Sequence, residues 1–198
     1  MSPETPPYLN PTDEDMLLAI ARKSLLRYLE SQERLDIESF PLPDRLREPM
    51  GAFVTLHGPA GLRGCIGSTM AEHPLAESVR NSAINAGTRD PRFDPVRLEE
   101  LPTLKIEISA LLPGDTPTSP FILLSSIDAI LLGRDGLCLR HELSGRSGLL
   151  LPQVPLEHNM DRDQFLDALC RKAGAPPNAW KLPGYRLYRF TAQVFGEK

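Results

Sequence analysis

Leu62-Arg63-Gly64-Cys65-Ile66-Gly67 places one thiol between two glycines and two residues after an arginine, at the end of an apolar run. Gly64 and Gly67 remove the side chains that would shield a strand residue, so the backbone bends and a substrate group gains access to Cys65. In an extended chain, alternation puts Arg63 and Cys65 on one face, where a guanidinium favours thiolate over thiol. Cys65 is then a catalytic nucleophile or covalent carrier, and Arg63 the group that holds its charge. The competing reading is tight packing, because free cysteine is among the most buried residue types.

A second arginine stands in Asp90-Pro91-Arg92-Phe93, residues that favour a fixed turn after a helix end. Arg92, presented by such a loop, suits a carboxylate or phosphate; alternatively it pairs with Asp90 or Asp94 to hold the loop. Asp90, Arg92, Gly64, Gly67, Ser68 and Gln153 form the expected substrate-binding set around Cys65 and Arg63. Gln153 is held between Pro152 and Val154 after an apolar strand, which fixes its direction. Glu107 is either solvated or a carboxylate facing the arginines. His73, eight residues after Cys65, is a candidate general base or an exposed residue at a helix start.

No metal site is expected, because His57, His73, His141 and His158 show no ligand spacing to one another or to a cysteine. The sequence lacks GxSxG, GxGxxG and Walker patterns, which disfavours serine hydrolysis and nucleotide chemistry, and no cofactor is expected. Net charge of −4 and no basic cluster argue against nucleic acid as a partner. The three cysteines, Cys65, Cys138 and Cys170, form no close pair, so neither a disulfide framework nor a CxxC site is read. Met1 to Pro11 has no basic leader followed by an apolar core, and no later run has the length of a membrane span; the expectation is a cytoplasmic protein with no membrane partner.

The elements that must position these groups follow from periodicity. Residues 1–11, with four prolines, read as a loose N-terminal arm, and residues 12–198 as one continuous domain. A helix opens at a Thr12/Asp15 capping pair and carries Leu17, Ala21, Leu25, Tyr28 and Leu29 on one stripe. Residues 52–56 and 62–68 form a hairpin around His57-Gly58-Pro59-Ala60-Gly61. A helix follows Pro74 and ends at Gly87; its start is a candidate neighbour of the thiol, where N–H groups would add positive charge. Residues 104–112 alternate as a half-buried strand. Residues 130–140 read as a second hairpin and 148–151 as a short buried strand. Asp161 and Gln164 open a last helix, and 185–195 is the final strand. Helices and antiparallel hairpins without a βαβ period predict an α+β fold, an antiparallel or mixed sheet with flanking helices.

Taken together, Gly61 to Gly67, Asp90-Pro91-Arg92-Phe93, Gly148 to Val154, Leu169 to Gly174 and Trp180 resemble the AMMECR-type domain, also called AmmeMemoRadiSam system protein A, across roughly residues 15–195. The resemblance implies larger and smaller lobes with LRGCIG at the cleft between them. It carries no assigned reaction. What it implies is a modification-pathway context with a Memo-type protein and a radical-SAM protein as partners. Two functional readings follow. One is a cysteine-dependent enzyme or pathway component that takes a small anionic ligand or peptide end. The other is a non-catalytic binding module in the same pathway. The sequence departs from the family pattern at Gly87, at His158-Asn159-Met160 and at Cys138 with His141.

Overall fold

The alternation of Ala52, Val54 and Leu56 with Phe53 and Thr55 makes one strand with an apolar and a more polar face, and the first half of the chain is built on it. The computed structural model describes residues 7–198. Its elements in chain order are α1 (Pro11–Ser31), α2 (Asp44–Arg47), β1 (Ala52–Gly58), β2 (Gly61–Ser68), α3 (Leu75–Thr88), β3 (Lys105–Leu111), β4 (Ile122–Leu123), β5 (Asp135–His141), β6 (Ser147–Leu150), α4 (Val154–Glu157), α5 (Arg162–Lys172) and β7 (Tyr185–Gly196). They form two units, Met1–Leu111 with Gln193–Lys198, and Leu112–Ala192. The fold is α+β, and the strand pairings within each unit are antiparallel.

In the larger unit β1 is central, pairing with β2 on one side and β3 on the other. Residues directly opposite in an antiparallel pair share a face. Val54 therefore lies in a row with Ile66 and Ile108, and this face joins Leu17, Ile20, Leu25, Val79 and Ala83 in one core beneath α1 and α3. Thr55 lies in a row with Cys65 and Glu107, on the opposite face.

Helix α1 starts two residues before the expected cap: the Asn10 side chain accepts from the Asp13 N–H and the Asp13 carboxylate accepts from the Asn10 N–H. Both bonds satisfy donors that the first turn leaves open, and Pro11 occupies the position where a missing N–H costs nothing. The segment just before it is docked rather than loose. Leu9 is fully buried, and its backbone N–H and carbonyl both bond the Gln193 side-chain amide, at 2.9 and 2.8 Å. The earlier part of the expected arm, residues 1–6, lies outside the described residues. Helix α3 runs one residue past Gly87, which is not its terminator. A Cβ at Gly87 would sit 2.6 Å from the Leu25 side chain, so this glycine lets α1 and α3 approach.

In the smaller unit β5 lies between β6 and β7, and β4 pairs with β7. Residues 130–140 do not form the expected hairpin. The fully buried Asp135 carboxylate takes the Leu131 N–H at 2.8 Å and two donors from Arg134, which closes 131–134 as a tight loop. The strand that pairs with β5 is β6, through Leu137↔Leu150 and Leu139↔Gly148. Helix α5 has the expected Asp161/Gln164 capping box and buries Phe165, Leu166, Leu169 and Cys170 against Leu137 and Leu139.

Gly64 sets the distance between β2 and α3, since a Cβ there would lie 2.1 Å from the Ala86 carbonyl oxygen. Gly64→Ala is expected to destabilise the protein by about 2 kcal/mol or more, because helix backbone must move. Gly87→Ala meets a leucine side chain rather than backbone and gains helix propensity, so it is expected to cost less than Gly64→Ala. Urea midpoints of the two variants measure the difference, and equal midpoints would count against this account of Gly64.

Candidate functional site

The register of β1 against β2 shifts between Leu56 and His57: Leu56 faces Gly64 and His57 faces Leu62, so Arg63 is the extra residue of a β-bulge. A bulge interrupts alternation and re-aims the side chain it carries. Arg63 bonds the Glu100 carboxylate through Nε and Nη2, at 2.9 and 3.1 Å, and the Asp94 carbonyl through Nη1 at 2.9 Å. Its three nitrogens thus brace β2 to residues 94–100, and the charge expected beside the thiol is committed to Glu100. The Glu100 carboxyl is held below its ordinary range by that pairing.

Cys65 lies beyond the bulge, where alternation resumes, on the face that α1 and α3 leave open. Its sulfur is half-buried and accepts a hydrogen bond from the Thr55 hydroxyl at 3.3 Å. Burial pushes the thiol pKa up. The Thr55 bond and the Arg92 charge pull it down by less, while Asp90 and Glu107 push it further up. The resting side chain at neutral pH is therefore a thiol, not the thiolate read from Arg63. The start of α3 adds no positive field either. Ser82 bonds the Ala52 carbonyl and Ala86 abuts Gly64, so the helix runs antiparallel to β2 and brings its C-terminal end to this part of the strand.

The group that organises the site is Asp90, which leaves α3 directly after its C-cap, Arg89. Its side chain is 2% exposed and accepts four hydrogen bonds: from the Cys65 N–H at 2.8 Å, the Arg92 N–H at 3.1 Å, Arg92 Nε at 2.9 Å and Arg92 Nη2 at 2.6 Å. The backbone N–H bond to its own loop is an Asx turn, and Phe93 N–H to the Asp90 carbonyl closes the β-turn in which Pro91 presets the geometry. Arg92, then the backbone bonds from Cys65 and Arg92, hold the Asp90 carboxyl far below the usual aspartate range against the opposing effect of burial. Asp90 in turn raises the Arg92 pKa. The pairing takes Nε and Nη2 and leaves Nη1 on a side chain that is 49% exposed. The arrangement offers one cation edge, one neutral thiol and one hydroxyl, which suits an anionic group brought beside a sulfur.

Not every expected residue joins this set. Ser68 is exposed at the end of β2, where its hydroxyl accepts the Met70 N–H in a turn. Gly64 faces α3, and Gly67 makes room for Phe53, whose Cγ would be 2.4 Å from an added Cβ. At both positions a side chain would collide with its neighbours. Gln153 belongs to the smaller unit, just before α4. His73 is exposed, its Nδ1 lies 3.6 Å from Glu77, and its carbonyl accepts the Met50 N–H, at the end of β1 away from Thr55 and Cys65. Thr55, Glu100 and the part Glu107 plays became evident only with the register; the one sequence signal for Thr55 is a lone hydroxyl in an otherwise apolar strand. Among the described residues no group of three or more His, Cys, Asp or Glu side chains is placed to hold a metal ion.

The sequence profile of AMMECR1 matches residues 18–195. The chain belongs to the AMMECR1 family. Among its relatives are a protein of Thermococcus gammatolerans, 41% identical over 93% of this chain and 90% of the relative. Another, of Methanopyrus kandleri, is 42% identical over 93% and 88%. The crystal structure of an uncharacterised protein from Pyrococcus horikoshii superposes with a TM-score of 0.84 at 37% identity, covering 92% of this chain and 90% of that one. The curated AMMECR1 relatives at about 40% identity are themselves uncharacterised. Among the described residues no helix is long and apolar enough to cross a membrane.

Asp90→Asn, which keeps the shape but loses the charge, is expected to cost about 2 kcal/mol at neutral pH. The folded Asp90 pKa lies below its unfolded value. Its contribution is therefore complete above the ordinary aspartate pKa of about 3.9 and is lost as pH falls from there towards the folded value. The stability difference between wild type and variant should shrink on acidification, as read from urea unfolding at neutral pH and below pH 4. A difference independent of pH would contradict this.

Proposed function

We propose that this AMMECR1-family protein is a cytoplasmic component of a modification pathway that receives an anionic group at Arg92 beside a neutral Cys65 thiol. The supporting observation is the Asp90 carboxylate, which binds the backbone of Cys65 and the guanidinium of Arg92 at once and so fixes their separation. Arg92 engages a carboxylate or phosphate through its exposed edge, as a planar guanidinium does. Cys65 is the nucleophile or covalent carrier, and Thr55 orients its sulfur. Arg63 is a positioning residue that braces β2 against Asp94 and Glu100.

A second reading, a non-catalytic binding module, draws support from the upward shift of the thiol, since activated cysteines are ordinarily shifted down. In either reading the resemblance points to a Memo-type and a radical-SAM protein as partners. Co-migration of the purified protein with one of them on gel filtration is the expected outcome. Independent elution from both would remove the pathway from the proposal.

Alkylation tests anion capture at Cys65, because Cys138 and Cys170 are buried and labelling reports Cys65. Iodoacetamide should react slowly at neutral pH and accelerate through a pKa above that of an ordinary cysteine. Negatively charged iodoacetate should be favoured over iodoacetamide relative to a free thiol. Arg92→Gln should reduce that preference about tenfold, and Arg92→Lys, which keeps the charge, should retain most of it. A reactivity ratio equal to that of free cysteine would rule out anion capture at this thiol.

A further inference from the structure

The larger unit carries a second basic surface that the Cys65 chemistry does not use. A cavity of about 230 Å³ opens between the ends of α1 and α3, and one of about 410 Å³ adjoins it. Tyr28, Gln32 and Arg89 line both, so the two form one groove. The first part adds Arg34, Asn81 and Asn85, and the second adds Arg97 with the apolar side chains Leu29, Pro95 and Leu98. No carboxylate belongs to either lining. Arg34 and Arg89 make no ion pair among the described residues, while Arg97 lies in the field of Glu100.

Two helix C-termini meet this groove, and bare carbonyl oxygens there would repel an anion. Here part of that cost is offset, since the terminal Gly87 carbonyl takes the Val96 N–H at 2.7 Å and the turns before the caps are closed. Tyr28 O takes both the Gln32 N–H and the Gln32 side-chain amide, at 2.9 and 3.0 Å. Asn85 O takes the Arg89 N–H at 2.8 Å, and Ile84 O takes the Thr88 hydroxyl at 2.7 Å. The groove presents two guanidiniums and the Asn81 and Asn85 amides as donors, around a volume larger than one phosphoryl group. Donors arriving from several elements suit the three terminal oxygens of a phosphate better than the two of a carboxylate.

We propose that this groove binds a phosphate monoester of a small apolar or aromatic molecule. The phosphoryl group lies among Arg34, Arg89, Asn81 and Asn85, and the organic part lies along Tyr28, Leu29 and Leu98. The site is independent of the Cys65 reading. Arg89 is nevertheless the residue directly before Asp90, so an occupant pulling on Arg89 bears on the loop that holds Cys65 and Arg92.

Phenyl phosphate titrated into the full chain, followed by the side-chain amide signals of Gln32, Asn81 and Asn85 in NMR, tests it. Saturable shifts at these amides are expected. Inorganic phosphate, lacking the ring, should bind about tenfold more weakly, given the apolar area a ring buries. Benzoate, which keeps the ring with a two-oxygen anion, should also be weaker. Arg89→Gln and Arg34→Gln, both at exposed positions, should each weaken phenyl phosphate about tenfold while leaving the rest of the spectrum folded. Non-saturating shifts, equal affinity for benzoate, or unchanged affinity in both arginine variants would overturn the proposal. So would shifts confined to residues 90–93 that vanish in Arg92→Gln, because they would place the phosphate at the Cys65 face instead.

Discussion

A single buried carboxylate carries the candidate site. Asp90 gathers a strand N–H, a turn N–H and two guanidinium nitrogens, and these partners answer the cost of burying its charge. Strand β2 and the loop after α3 are thereby joined beside Cys65, in addition to the Arg63 bond to the Asp94 carbonyl. The loop can be short because α3 delivers Asp90 immediately, and α3 can lie close because Gly64 offers no side chain to its last turn. The backbone around Cys65 thus depends on a chain of steric and ionic constraints, while the Thr55 hydroxyl holds the sulfur.

Much of this was legible in the residues. Period-two alternation located β3, the glycine-rich turn located the β1–β2 hairpin, and Asp161 with Gln164 marked the start of α5. The Asp90 and Arg92 pairing was visible as one of two readings of a rigid turn. What alternation misjudged was Arg63, because a one-residue bulge is a property of pairing between strands and leaves no periodic trace within either of them. The same limitation concealed Thr55 and the place of Glu107, which acquire meaning only when β1 sets them in a row with Cys65. In the smaller unit, turn residues at 133–136 imitated a hairpin. A buried aspartate was closing a loop there, and the strand partner of β5 came from further along the chain.

The thiol illustrates how sign is decided by magnitude. One hydroxyl and one guanidinium favour the thiolate, two carboxylates oppose it, and desolvation outweighs the favourable pair. A cysteine in this setting is held in reserve rather than poised. Capture of an anion by Arg92 would remove some of the charge that now favours ionisation, so chemistry at the sulfur calls for proton removal concerted with bond formation. Membership of AMMECR1 fixes the fold around these groups.

Strand β7 imposes an order on biosynthesis. Its residues 185–192 belong to the smaller unit and its last four to the larger one, where Gln193 grips Leu9 and Glu197 binds Arg22 and the Ile106 N–H. During translation the larger unit is therefore left open along one edge until the ribosome has made all of the smaller unit. The Leu9 and Gln193 contact has a high sequence separation, which slows folding more than it lowers stability. Until Gln193 is made, the Leu9 N–H and carbonyl lack the side-chain amide that bonds them both.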